Sequence, residues 1–447
     1  MILKEKDLWS EKIPFIKKLK DFYSKIEYKR INLWPIMANE CYTYYKSQED
    51  RGFKEILGLI IRFIFFKEDL KVEKAKGKIL VSYFMNREDH HELVKKAISA
   101  FSEKEIFFMD AYEYKRNPLK MYKPKIPNFY LLFSIWLKFK RSDLKKTLGR
   151  YYWLFLARTY QRFCQIVYFK KIIDRLEPKA YVAFCSPAFG EEAIMTLICK
   201  EKGILTFSMQ HGFYREGHTF GPEALLAENS IPDYFLLWGD KTSDIQKKYV
   251  DQSRIILVGN PKYSRLNRKT KTKFDPKKAT IFFGNNSFNK GNLELLEIVK
   301  VFIQNHPEIS FNVTVHPMND ANLFFELLKF KNVKFIQKDF PVQNLLEESN
   351  FIILYSTSVA MEALNYKIPI LEYHGNDSLR FWDGKNDSFT NVEELENLFL
   401  KLKNPREYKK LIDFYEKELE KIFYFDPKKS VPEVYYDKIT NIIKRGV

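Results

Sequence analysis

From residue 77 onward, short apolar runs alternate with amphipathic stretches of about a dozen residues, the rhythm of strands alternating with helices. GKILVSYF (77–84) reads as a buried strand, followed by a helix around 90–102 and a second short strand, EIFFMD (105–110). From 180 the pattern is regular: strand AYVAFCS (180–186), a helix over 189–201, and strand ILTFSMQ (204–210). After a polar loop come strand DYFLLWG (233–239), a helix over 240–250 and strand RIILVGNP (254–261). The alternation restarts with ATIFFGN (279–285), a helix over 291–305, ISFNVTVHP (309–317), a helix over 320–329 and VKFIQ (333–337). It continues with a short helix over 342–348, FIILYSTS (351–358), a helix over 359–366 and IPILEYHG (368–375). Repeated βαβ units of this kind predict α/β architecture with parallel sheets.

Two segments fall outside the rhythm. Residues 1–76 read as helical and amphipathic, with GFKEILGLIIRFIFFK (52–67) the most apolar part. Residues 128–172 mix aromatics with Lys and Arg at helical spacing, which suits either core helices with solvated basic faces or a surface that enters a lipid headgroup region. SRLNRKTKTKFDPKK (264–278) is basic and poor in apolar residues, so it reads as a linker. The expected organisation is an N-terminal Rossmann-like domain over 1–263, the linker 264–278, and a second Rossmann-like domain over 279–404. Helices at 405–424 and 434–444, within a C-terminal segment 405–447, are expected to pack back on the first domain.

A length of 447 residues suits two cores, and 45% hydrophobic with 30% charged residues is a globular composition. The net charge of +18 favours an anionic partner: nucleic acid, anionic lipid or a phosphorylated substrate. No recognition helix or base-stacking platform is evident, which speaks against nucleic acid. Cys41, Cys164, Cys185 and Cys199 show no metal-ligand spacing and fit a reduced, cytoplasmic setting. The N-terminus lacks a signal-peptide pattern, and no apolar run reaches bilayer-spanning length.

In open parallel sheets, ligands bind beyond the carboxyl ends of the strands, so polar residues there are the candidates. Gln210, His211 and Gly212 follow one strand; Gly259 and Asn260, before Pro261, end another and would line a cleft. His316 and Pro317 follow FNVTV, placing an imidazole where a phosphate could be held. Ser356, Thr357 and Ser358 precede a helix; their hydroxyls could cap it or, with its free N–H groups, hold a phosphate. Glu362, one turn later, could accept hydrogen bonds from a ribose diol. Gly284 and Asn285 allow close backbone approach by a ligand. There is no Walker A, GxGxxG, HExxH, GxSxG or DxD pattern, so neither a metal nor a cofactor is demanded.

The QHG turn, the DYFLLWG strand, GNPKY (259–263), the His-Pro pair at 316–317 and STSVAMEAL (356–364) together resemble the GT-B superfamily of bacterial capsule and lipopolysaccharide glycosyltransferases. The resemblance covers about 180–375 and implies two Rossmann-like domains facing each other across a cleft. It implies a nucleotide-sugar donor, a glycan or lipid-linked glycan acceptor and a site at the inner face of the membrane. His316 with Ser356–Ser358 is similar to the CMP-phosphate motifs of sialyltransferases and Kdo-transferases, and CDP-glycerol glycerophosphotransferases are similar in the second half. The base that deprotonates the acceptor stays open among Glu191, Asp89 and His211. A UDP-sugar epimerase of the same architecture is the enzymatic alternative, and a basic nucleic-acid-binding protein the non-enzymatic one.

Overall fold

The computed structural model describes residues 13–46, 76–85, 87–110, 129–186, 190–212, 229, 231–263, 274–285, 288–316, 319, 321–336, 340–375, 382 and 387–446. The apolar segment 52–67, most of the linker and Pro317 lie outside them. The chain divides into two compact units, Met1–Lys262 with Asp426–Val447, and Tyr263–Phe425.

Among the described residues the first unit begins with a helix (Pro14–Tyr23), followed by a pair of two-residue strands (β1, Glu27–Tyr28; β2, Ile31–Asn32) and another helix (Trp34–Lys46). Its sheet contains β3 (Ile79–Tyr83), β4 (Ile106–Asp110), β5 (Ala180–Phe184), β6 (Leu205–Met209), β7 (Tyr234–Leu237) and β8 (Ile255–Leu257). They lie in the order β4-β3-β5-β6-β7-β8, all pairs parallel. β3 and β5 are buried at every position, as expected of strands covered on both faces. Helix Tyr152–Leu176 packs against helix Gly190–Glu201, placing Phe155, Phe163 and Ile166 in one core with Ala193, Ile194 and Ile198.

The stretch 128–172 forms helix Phe129–Lys140, a short helix Leu144–Leu148 and the start of the helix from Tyr152. Ser142 breaks the first by donating to the Phe139 carbonyl (2.7 Å), and Gly149, at φ 51°, ends the second.

The second unit's sheet contains β9 (Lys278–Phe282), β10 (Ser310–Thr314), β11 (Val333–Phe335), β12 (Phe351–Leu354), β13 (Ile370–Tyr373) and β14 (Ser388–Phe389). Their order, β11-β10-β9-β12-β13-β14, all parallel, is that of the dinucleotide-binding Rossmann sheet. Phe274, Phe302, Phe351 and Phe399 meet edge-on or tilted at 5.4–5.8 Å between centroids and fill the core on one side. Helix Pro405–Ile422 belongs to this unit: its buried Tyr415 hydroxyl accepts the Ile370 N–H at 3.0 Å. Of the two C-terminal helices only the last, Val431–Arg445, lies in the first unit, where Tyr436 donates to Glu105 (2.9 Å) and meets Phe101 edge-on.

Candidate functional site

Chain order and sheet order reverse between β3 and β5 in the first unit, and between β9 and β12 in the second. A crevice opens at such a switch point beyond the carboxyl ends of the strands, and both crevices collect polar residues.

In the second unit the register aligns Phe282 with Thr314 on one side and with Leu354 on the other. Gly284, His316 and Ser356 therefore each stand two residues beyond the same line across three adjacent strands. Gly284 is held by its carbonyl, which accepts from the side-chain amides of Asn292 (2.9 Å) and Asn319 (2.8 Å). The Asn319 N–H in turn donates to the His316 carbonyl (2.9 Å), so the turn after β10 is tied to the turn after β9. His316 itself is exposed. Asn285 presents its carbonyl to the Phe288 N–H (3.0 Å) and the Asn292 amide (3.2 Å).

Ser356 is buried with φ at 45°, a left-handed conformation costly for a residue with a side chain and common where a turn is shaped for a ligand. Helix Val359–Asn365 begins at Ser358, which is exposed and makes no side-chain cap bond; Thr357 Oγ1 accepts the Val359 N–H only at 3.4 Å. The capping role that hydroxyls play at most helix starts is thus weak here. Glu362 accepts a hydrogen bond from Tyr263, whose hydroxyl is pushed far above its usual range by burial and then by that carboxylate.

The first unit's crevice gathers more charge than its sequence suggests. Asp89 lies in the first turn of helix Glu88–Ala97, and Arg87 grips it through Nε (3.1 Å) and Nη2 (2.6 Å). Burial works against the Asp89 carboxylate, but Arg87, His90 and Lys262 together hold its pKa below the usual value. His90 is buried; its ring lies 5.3 Å from Phe184 and 6.1 Å from the His211 ring, nearly perpendicular to the latter. Burial, then Arg87, lowers the His90 pKa to about 4, against the pull of Asp89. His211 falls to about 3 for the same leading reason, with His90 and Arg87 adding repulsion. Both rings are therefore neutral at physiological pH, meeting edge-on beside Phe184 at the carboxyl end of β5, with His90 from the β3 side and His211 from the β6 side. His90 was not singled out from the sequence, although its place just after β3 matches the rule that selected His211.

Glu191 occupies a different setting. It pairs with the buried Arg162 (3.2 Å) and accepts from Gln165 (3.2 Å), while Arg162 also pairs with Glu40 at 2.7 Å. Gly190 makes room for this network: a Cβ there would lie 2.5 Å from the guanidinium carbon.

Gln210 is fully buried and stitches strand ends together, accepting the Trp238 N–H (2.8 Å) and donating to the Gly212 carbonyl (2.8 Å) and Thr242 (3.2 Å). Gly259, at φ 81°, and Asn260, whose Oδ1 accepts the Lys262 N–H (2.9 Å), form the turn that ends the first unit's sheet. Among the described residues no group of three or more His, Cys, Asp or Glu could hold a metal ion, and no helix is long and apolar enough to cross a membrane.

No protein-family profile matches the chain, and no curated protein matches it in sequence. Its architecture does have solved counterparts. The structure of S. aureus MnaA with UDP aligns with a TM-score of 0.52 at 13% identity, over 82% of this chain and 97% of that one. A UDP-N-acetylglucosamine 2-epimerase aligns with a TM-score of 0.50 at 13% identity, over 83% and 98%. At that identity the likeness establishes the fold: the chain consists of two parallel-sheet, Rossmann-like domains of the GT-B kind.

Proposed function

We propose that this chain is a nucleotide-sugar-dependent glycosyltransferase. The observation that carries the reading is the alignment of Gly284, His316 and Ser356 beyond one register line at the switch point of a Rossmann-ordered sheet. That edge brings to one line an imidazole, hydroxyls and glycine backbone, groups that can hold a phosphate. The fold's likeness to a protein solved with UDP and to a UDP-sugar epimerase supports a nucleotide-sugar ligand.

In this reading the acceptor hydroxyl loses its proton to His211 or Asp89 in the first unit. Its oxygen then bonds to the activated sugar carbon as the bond from that carbon to the phosphate oxygen breaks. His316, with the Ser356–Ser358 turn, takes up the charge left on the phosphate. Glu191 is the weaker candidate for the base because Arg162 and Gln165 already occupy it. The low basicity of the His90–His211 pair rises when an anionic group of the substrate arrives beside it. A glycan acceptor of surface-polysaccharide type completes the proposal.

The order of the His-Pro and Ser-Thr-Ser motifs supports a CMP-activated, sialic-acid or Kdo-type donor, and a CDP-glycerol donor shares that support. The epimerase likeness favours a second reading, UDP-sugar epimerisation without an acceptor. A thermal-shift panel of CMP, CDP, UDP, GDP and dTDP separates the donors: a rise with CMP supports the sialic-acid or Kdo-type donor, and a rise with UDP alone excludes it. Incubation with UDP-GlcNAc alone then tests the second reading, since an epimerised product would displace the transferase assignment.

A further inference from the structure

Helix Phe129–Lys140 turns one face inward, where Ile135 and Phe139 are buried and Leu131, Leu132 and Trp136 pack against the core. At 100° per residue the opposite face carries Tyr130, Phe133, Leu137 and Lys140. Tyr130 is 84% exposed and Phe133 55% exposed, large values for aromatic side chains. Trp153, 59% exposed, adds a third outward ring near the start of the next long helix, whose first residue, Tyr152, meets Phe139 edge-on at 5.7 Å.

The same stretch carries the exposed cations Lys138, Lys140, Arg141, Lys145 and Lys146; Asp143 is the single acidic residue between 129 and 153. None of the five cations makes an ion pair among the described residues, and Lys140 rests on the Trp136 ring at 5.0 Å. Some other Lys residues of the first unit are paired, as in Lys170–Glu201, Lys200–Asp233 and Lys202–Asp174. The described large aromatics of the first unit that are exposed all fall in this stretch, and together with its unpaired cations they complement an interface that is both apolar and negatively charged.

We infer that Tyr130, Phe133 and Trp153, with the cations between Lys138 and Lys146, form a docking surface for an anionic lipid bilayer. The rings enter the headgroup region while the lysines and Arg141 meet lipid phosphates. The surface requires neither nucleotide nor catalysis, so it stands independently of the function proposed above.

The test is co-sedimentation of the full-length protein, without nucleotide, with phosphatidylcholine vesicles containing or lacking phosphatidylglycerol. Binding should require phosphatidylglycerol and weaken with salt. The Y130S/F133S/W153S variant and the K138E/K140E/K145E variant should each lower the partition coefficient by about tenfold or more. All substituted residues are exposed, so both variants should keep the wild-type melting temperature. Equal binding to neutral and anionic vesicles would overturn the inference. So would unchanged binding by the two variants, or a loss of self-association in the aromatic variant with vesicle binding intact, which would make the surface a contact between copies of this chain.

Discussion

A Cβ on Gly284 would lie 2.9 Å from the backbone carbonyl oxygen of Tyr355, closer than such contacts are found in proteins. Two neighbouring strand ends thus approach each other at the switch point, and only glycine fits between them. Gly291, opposite the Tyr355 ring, is equally constrained, since a Cβ there would fall 2.2 Å from ring atoms. Gly284→Ala should destabilise the second unit by about 1–3 kcal/mol and weaken nucleotide binding with it. Gly291→Ala should cost a similar amount, and the loss should be largely absent when Gly291→Ala is measured in a Tyr355→Ala background, because the obstructing ring is gone. Urea unfolding of the four proteins closes the cycle.

The buried Arg162 network predicts that Glu191 acts through stability. Glu191→Gln removes one of the two carboxylates that neutralise Arg162, and Glu40 remains. Because the Glu191 side chain is 27% exposed, the expected loss is modest, about 1–2 kcal/mol. Turnover per folded molecule should change less than in Asp89→Asn. A Glu191→Gln protein with full stability and no activity would move the base to Glu191.

The first unit's histidines predict acid sensitivity. In the unfolded chain His90 titrates near 6.5, and in the folded protein near 4. Between these values the unfolded state binds a proton that the folded state refuses, so stability is full above about pH 6.5 and falls as the pH drops toward 4. For His90 the loss across that window is on the order of 3 kcal/mol. His211, held near 3, extends the loss to lower pH. Unfolding free energies of wild type and His90→Gln across this range should diverge below pH 6.5, with the variant flatter.

His211 and Asp89 are the two candidates for the proposed base. His211→Asn should lower turnover by about 10²–10⁴-fold if its ring takes the acceptor proton. Asp89→Asn should have the larger effect if the carboxylate does. Steady-state rates of the two variants, each compared with its melting temperature, separate these outcomes.

Most strands were legible because each is a short apolar run set off by polar turns, and the candidate turns after β6, β9, β10 and β12 follow directly from that. The two-residue strands at 27–28, 31–32 and 388–389 carry no periodicity of their own and form because neighbouring backbone lies beside them. Helix Val392–Leu402 was readable in principle: Asn391 accepts the Glu394 N–H as a cap, and Leu395, Leu398, Phe399 and Leu402 line its buried face. His90 escaped notice because its importance comes from His211, more than a hundred residues away and brought near only by the sheet order. Glu191 looked available in sequence for a similar reason, since its partners Arg162 and Gln165 sit on another helix.

In the proposed function the carboxyl edge of β9, β10 and β12 binds the donor nucleotide through His316. Calorimetric titration of the nucleotide that gives the largest thermal shift, into wild type and His316→Ala, tests it directly. Wild type should bind saturably and the variant at least about tenfold more weakly, with an unchanged melting temperature in the absence of nucleotide. Equal affinity in the two proteins would contradict it.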